Sequence, residues 1–256
     1  MSRSYIIHTP DEIRRIRRAA AASAWLRDKV AEVARPGMST WELDQAAGAL
    51  IRETGGKSAF LNYCGYPGNI CISLNDEVVH GIGVPERIIR DDDLVSIDVG
   101  VAIDGAVGDT ALTFTFAPLT PEKKNLMEGT REALAAGIKA ARRGNTVSHI
   151  SRAVEEVAKH RRLGVVADYT GHGCGIKLHE PPEVPNFTGW GRGATLVPGM
   201  VICIEPMFNA GDWRVTLDRG NHWTVRTRDG SPSAHFEHQI LITDNEPEIL
   251  TWQKTT

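Results

Sequence analysis

The sequence predicts an α+β fold made of two related halves that share an antiparallel sheet. Three observations predict it. The order helix, helix, then strands occurs twice along the chain, a pattern of helices set against an antiparallel sheet. Asp93-Leu-Val-Ser-Ile-Asp98-Val reappears as Met200-Val-Ile-Cys-Ile-Glu205-Pro, and Gly37-Met-Ser-Thr-Trp-Glu-Leu-Asp-Gln-Ala46 lies over Gly144-Asn-Thr-Val-Ser-His-Ile-Ser-Arg-Ala153 at the same offset. Asn62-Tyr-Cys-Gly-Tyr-Pro67 matches Asp168-Tyr-Thr-Gly-His-Gly173 with a slip of one. A repeat present only twice is not a solenoid signature. Each half alone would expose the sheet face it shares with its twin, so residues 1–256 read as one domain with half-repeats at about 10–119 and 120–250.

The elements follow in order. Thr9-Pro10-Asp11-Glu12 is a helix start, with a cap, a proline in the first turn and acids at the positive end. Alanine-rich sequence carries the helix toward Ala34, and Pro36-Gly37 stops it. A second helix, capped near Ser39 or Thr40, runs to about Glu53 before Gly55-Gly56. Strands are predicted over Asn69–Ser73, Asp93–Val101 and Val107–Phe116. Thr120-Pro121-Glu122 then repeats the cap grammar. Helices follow near Glu122–Ala141 and Thr146–His160, and strands near Val201–Met207, Trp223–Thr227 and Phe236–Thr243. No low-complexity segment or linker separates the halves.

Bulk properties exclude several classes. The chain has 256 residues and a net charge of −3, which gives no electrostatic case for nucleic acid or membrane as partner. Arg14, Arg15, Arg17 and Arg18 enrich the N-terminal segment, but no apolar run follows them. Nothing approaches the run of ~20 apolar residues that spans a bilayer. Cys64, Cys71, Cys174 and Cys203 lack C-x-x-C spacing and read as reduced thiols of a cytosolic protein.

Strand alternation sorts the acids. Val95, Ile97, Val99 and Val101 share one face, and Ser96, Asp98 and Gly100 the other. Leu112, Phe114 and Phe116 oppose Asp109, Ala111 and Thr113. Ile202 and Ile204 oppose Cys203, Glu205 and Met207, while Phe236, Ile240 and Ile242 oppose Glu237 and Gln239. Asp104-Gly105 is a two-residue hairpin signal. Pairing Ile103 with Ala106 sets Asp98 opposite Ala111 and Asp109 opposite Gly100, so Asp98 and Asp109 are diagonal neighbours on one face. Carboxylates that close repel unless a proton or a cation lies between them. Acids on a strand usually face solvent, but here the repeat places them at one equivalent point of both halves. The small residues Gly100, Gly108 and Ala111 are expected to surround them. Oxygen donors with one imidazole make a metal site.

Among the nine histidines, three stand in distinctive settings. His172 lies in Gly171-His172-Gly173, at the repeat position of Tyr66. His179 follows in Leu178-His179-Glu180, and His80 ends an apolar run before Gly81. His8, His149, His160, His222, His235 and His238 are expected to be surface or hydrogen-bonded core residues.

The ordered set Asp98, Asp109, His172, Glu205 and Glu237 comes with the stretches Asn-Asp-Glu-Val-Val-His-Gly-Ile, Ile-Asp-Val, Gly-Asp-Thr, Gly-His-Gly, Ile-Glu-Pro-Met and Ser-Ala-His-Phe-Glu-His. Together they resemble type I methionine aminopeptidases of bacterial character, from about Thr9 to Leu250. The resemblance implies a pita-bread fold: two pseudosymmetric halves with a curved antiparallel β-sheet covered by helices. It implies two divalent metal ions per chain, cobalt, manganese or iron, that activate a bridging water or hydroxide. Asp98 would chelate one ion, Asp109 and Glu237 would bridge both, and His172 and Glu205 would complete the other. Glu205 would also carry the proton, His179 would polarise the scissile carbonyl, and His80 would position the substrate amide. The methionine pocket would consist of Tyr63, Tyr66, Cys71, Leu178 and Trp223, with Phe60 at its edge. Leu178 stands where many relatives carry Phe, and Phe60 replaces a smaller residue in some, so pocket shape departs from the family pattern.

The implied activity is removal of the initiator methionine from nascent polypeptides whose second residue is small. A cytoplasmic monomer in transient contact with the ribosome is implied as well. No room exists for the helical insertion of type II enzymes, and an N-terminal zinc-binding extension is not expected. The alternatives are an Xaa-Pro peptidase of the same fold and a non-catalytic pita-bread binding module.

Overall fold

Four helices begin where their capping residues dictate. The structure, a computed structural model, describes residues 5–189 and 191–252. Helix α1 (Pro10–Val33) opens with a capping box, in which the Glu12 N–H donates to the Thr9 hydroxyl oxygen and the Thr9 N–H donates to Glu12 Oε2. It ends three residues before Pro36, whose ring disfavours helical backbone in the residue preceding it. Helix α2 (Thr40–Glu53) uses Ser39 and Glu42 in the same way. Helix α3 (Pro121–Ala140) is capped by Thr120. In helix α4 (Val147–Arg161) His149 takes the place of the capping-box acid, its Nδ1 accepting from the Thr146 N–H. His149 is therefore structural, as expected.

Backbone geometry matches at positions that the sequence repeat sets equivalent. Gly37 and Gly144 both adopt φ +85°, a conformation that L side chains rarely reach. Their N–H groups donate to Ile89 O and Leu196 O, each at 2.9 Å. Isolated bridges pair Ser39 with Ile88 and Thr146 with Thr195 at the same sequence offset.

All strand pairs are antiparallel and fall into four sheets among the described residues. Two of them carry the candidate site residues. The first contains Cys71–Leu74, Val95–Ile103 and Ala106–Phe114; its hairpin register pairs Ile103 with Ala106, Asp98 with Ala111 and Gly100 with Asp109, as the turn signal predicts. Asp104 and Gly105 both have positive φ, as that turn requires. The second is five-stranded, with Val201–Ile204 between Gly171–Gly173 and His238–Leu241. Each half buries its own core. Helices α1 and α2 cover Val95, Ile97, Val99 and Val101, while α3 and α4 cover Ile202, Ile204, Phe236 and Ile240.

Two strand expectations change in a way that matters. The segment expected as one strand over Val201–Met207 splits into Val201–Ile204 and Met207–Asn209, because Pro206 has no N–H to give the ladder. Of the expected Phe236–Thr243 strand only His238–Leu241 forms, and a separate short strand, Ser233–His235, precedes it. Asp98 and Asp109 sit within strands, whereas Glu205 and Glu237 sit in the breaks. Trp223 lies before its expected strand, which begins at Val225.

Candidate active site

The acid face of the sheet is buried. Asp109 is 3% exposed, Glu205 8% and Glu237 2%, so these acids do not decorate a solvated surface. The two halves meet where the Ala106–Phe114 strand runs beside residues 235–238. The Glu237 N–H donates to Ala111 O at 3.0 Å, and the Thr110 hydroxyl donates to Glu237 O at 2.8 Å. This seam brings Glu237 to the Asp98–Asp109 pair. His172 arrives from the neighbouring sheet, its Nδ1 2.9 Å from Gly173 O and its Nε2 3.7 Å from Asp109 Oδ2 and 3.4 Å from Glu205 Oε1. Donor atoms of Asp98, Asp109 and Glu237 lie within 4.8 Å of one another, and so do those of His172, Glu205 and Glu237.

Electrostatics show why this cluster suits a cation. Burial pushes the Asp98 carboxyl up to about 7 and the Glu205 carboxyl up to about 8. Asp109 and Glu237 are raised well above the usual carboxylate range, by burial and then by the other acids. Burial pushes His172 down to about 3 and His80 down to about 4. Asp98 Oδ1, Asp109 Oδ1, Glu205 Oε1 and Glu237 Oε1 are buried with no hydrogen-bond partner. Orphaned carboxylate oxygens of this kind fit metal ligation, since buried polar groups otherwise find partners.

A cavity of about 340 Å³ opens over the cluster. It is lined by all the sequence-predicted residues: the four acids and one imidazole just described, His80, His179, Tyr63, Tyr66, Cys71, Leu178, Trp223 and Phe60. The Tyr63 hydroxyl lies 2.8 Å from His179 Nδ1, and the His179 ring meets the His172 ring edge-on at 4.2 Å between centroids. Tyr66 gives its hydroxyl to Gly81 O at 2.7 Å and sets its ring edge-on to Trp223. His80 holds φ +59°, an uncommon conformation for a side-chain-bearing residue, and stacks edge-on against Tyr169 and Trp223. Gly81 follows because a Cβ there would lie 2.1 Å from Ile72 O.

The glycines near the acids have different causes from those expected. Gly100 clears the Phe60 ring on the acid face, which a Cβ would approach to 2.6 Å. Gly108 points to the opposite face, where it lets the α1 backbone at Ala19 and Ala20 come close. It does not line the acids.

Sequence reasoning missed Val79, Tyr169, Thr170, Met207, Cys64 and, above all, His235, each of which lines the cavity. His235 is buried, with Nε2 3.5 Å from Glu205 Oε2. The available signal was its position two residues before Glu237, on the same side of the chain. His8, in contrast, pairs with Glu180, and His238 lies 2.9 Å from the Thr251 hydroxyl, as residues outside the cavity. His160 and His222 are exposed. All four cysteines are free thiols.

The model of metallopeptidase family M24 matches residues 14–244. The chain belongs to metallopeptidase family M24. Among its M24 relatives, the methionine aminopeptidase of Clostridium acetobutylicum is 40% identical over 246 residues, covering 96% of this chain and 98% of the relative. Methionine aminopeptidase 1 of Mycobacterium tuberculosis is 44% identical over 239 residues, covering 91% and 89%. The crystal structure of methionine aminopeptidase from Thermotoga maritima superposes with a TM-score of 0.94 at 39% identity, covering 97% of this chain and 100% of that one. A prolidase from Pyrococcus furiosus shares the pita-bread fold at TM-score 0.79 and 23% identity, with this chain spanning 66% of its length. The M24 fold is thus α+β pita-bread, as the resemblance implied, and the family carries divalent metal. Among the described residues no helix is long and apolar enough to cross a membrane.

Proposed function

We propose that this M24 chain is a methionine aminopeptidase that removes the initiator methionine from nascent polypeptides whose second residue is small. The observation that carries this reading is the convergence of three buried carboxylates, the half-buried Asp98 and one imidazole at the floor of a cavity walled by aromatic and sulfur-bearing side chains. The cavity lining holds no Lys or Arg among the described residues, and two divalent ions would neutralise four ionised carboxylates, which supports a dinuclear centre. Asp98 would hold one ion, Asp109 and Glu237 both, and His172 and Glu205 the other. Oxygen-rich donors with one imidazole suit Mn²⁺, Fe²⁺ or Co²⁺. Bound there, such a pair supplies an activated water at neutral pH and Lewis-acid polarisation of the scissile carbonyl.

The chain's own residues do the rest. Glu205, at the cavity floor, accepts the proton of the attacking water and passes it to the leaving amine. His179, oriented by Tyr63, donates toward the carbonyl oxygen as charge develops there. His80 contacts the substrate amide. The free α-amine is read on the Asp98 side, which confines cleavage to the first residue. Tyr66, Cys71, Leu178, Trp223 and Phe60 surround the thioether, a polarizable group that packs well against rings. On this reading the protein works as a monomer in the cytoplasm, on chains still near the ribosome.

The test is turnover of Met-Ala-Ser and of Xaa-Pro peptides by metal-stripped protein titrated with Mn²⁺, Fe²⁺ or Co²⁺. Activity on Met-Ala-Ser returning with two equivalents is expected, and its loss in Glu205→Ala and His172→Ala with the fold retained. Cleavage of Xaa-Pro peptides with Met-Ala-Ser inert would overturn the reading.

A further inference from the structure

The His235 imidazole stands out among the groups that the reaction described above leaves unused. It is 2% exposed, and its Nε2 is buried without a hydrogen-bond partner, an uncommon state for a buried polar atom. Its backbone is clamped. The His235 N–H donates to the Thr113 hydroxyl oxygen and that hydroxyl donates to His235 O, both at 2.9 Å, while Met207 pairs with it across the ladder. The ring faces Glu205 and lies close enough to Asp98 for that charge to act on it as well. Its Nε2 lies 3.5 Å from Glu205 Oε2, and the other oxygen of the same carboxylate, Oε1, lies 3.4 Å from His172 Nε2. Two imidazoles thus flank Glu205, one at each oxygen. They are not equivalent. His172 belongs to the clusters of mutually close donor atoms, and His235 belongs to none of them among the described residues.

We propose that His235 is a positioning residue for Glu205: its Nε2–H holds the outer oxygen Oε2, so that Oε1 stays beside His172 and the carboxylate cannot turn. The inference rests on the reading of Glu205 as a metal ligand and proton carrier. A carboxylate that both ligates and carries a proton needs its two oxygens kept in distinct roles. Glu205 has no backbone ladder to stiffen it, since it occupies the break before Pro206. A fixed donor on one oxygen supplies that stiffness, as the outer hydrogen-bond partners of metal ligands generally do.

The test compares His235→Leu, which removes the donor, His235→Asn, which draws it back by one carbon, and His235→Gln, whose amide reaches about as far as Nε2. Mn²⁺ is titrated calorimetrically into each metal-stripped protein, and kcat and KM are measured on Met-Ala-Ser. Leu and Asn are expected to weaken Mn²⁺ binding by about 10–100-fold and to lower kcat with little change in KM. Gln is expected to restore most of both, which a merely space-filling role would not predict. Wild-type Mn²⁺ affinity in the Leu or the Asn variant, or a Gln variant as weak as Leu, would overturn the inference. The Glu205→Ala variant separates the two layers of argument. Undiminished Mn²⁺ binding there removes the reading of Glu205 itself; lost binding there, beside wild-type behaviour of His235→Leu, removes the role of His235 alone.

Discussion

Adding one methyl group at Gly108 should strain the contact that seats the acid-bearing hairpin on its helix. A Cβ at this position would lie 2.4 Å from the carbonyl carbon and oxygen of Ala19 and 2.5 Å from the Ala20 Cα, where ordinary contact begins at 3.4 Å. The obstructing atoms are helix backbone, so no side chain can swing away, and α1 or the strand must move by about 1 Å. Movement of α1 is resisted by Arg27, whose guanidinium bonds the Thr110 hydroxyl at 3.0 Å and Thr251 O at 3.3 Å. Movement of the strand displaces Asp109, the next residue. Overpacking of this kind costs about 1–3 kcal/mol, which for a chain of this size lowers Tm by roughly 6–12 °C at the upper end of that cost. A 1 Å misplacement of a catalytic group costs on the order of 100-fold in rate. Gly108→Ala should therefore melt earlier and turn over Met-Ala-Ser more slowly at 25 °C, well below its melt. Wild-type Tm together with wild-type kcat/KM would refute the packing argument; a lower Tm with undiminished kcat/KM would place the strain in α1 alone.

Metal removal should make stability fall with pH above about 6.5. Asp98 and Glu205 have folded-state values near 7 and 8, raised by burial from 3.8 and 4.5, so they favour the folded form at low pH and lose that contribution as pH rises through 7 and 8. His172 and His80, depressed to about 3 and 4 from 6.5, oppose this only below 6.5, where the unfolded chain takes up protons that the folded one refuses. Thermal melts of chelator-treated protein between pH 6.5 and 8 should decline, and added Mn²⁺ should raise Tm more at pH 8 than at 6.5; a flat or rising profile in the stripped protein would contradict the burial of these acids. Tyr63→Phe removes the hydroxyl that lies 2.8 Å from His179 Nδ1. A net bond of about 0.5–1.5 kcal/mol corresponds to roughly 2–12-fold, so kcat should fall within that range while Tm stays near wild type, because Tyr63 is exposed. Unchanged kcat would mean that His179 is oriented by other contacts.

Legibility in the sequence followed the range of the interaction. The helix starts at Thr9, Ser39 and Thr120 were readable because capping needs only residues three apart. The Asp98–Asp109 arrangement was readable because a two-residue turn fixes the register and alternation fixes the face. Short strands such as Gly171–Gly173 and Ser233–His235 were not, since three residues carry no periodicity. Gly108 was assigned to the wrong neighbourhood for a related reason: alternation gives a residue's side of the sheet, and its proximity to Asp109 in sequence concealed that it faces α1.

The sequence by itself determined the two halves, the helix caps, the hairpin register and the residue types able to hold metal, because each is set by local pattern or by an ordered motif. Tertiary structure decided where Glu205 and Glu237 stand. Both occupy breaks between strands, and Glu237 reaches Asp109 only through the seam formed with Ala111 and Thr110 of the other half. It alone turned His235 from an ordinary core histidine into the neighbour of Glu205. Contacts between segments more than a hundred residues apart leave no periodic trace in the chain; they exist only once both cores have packed and the two acid faces close on one another.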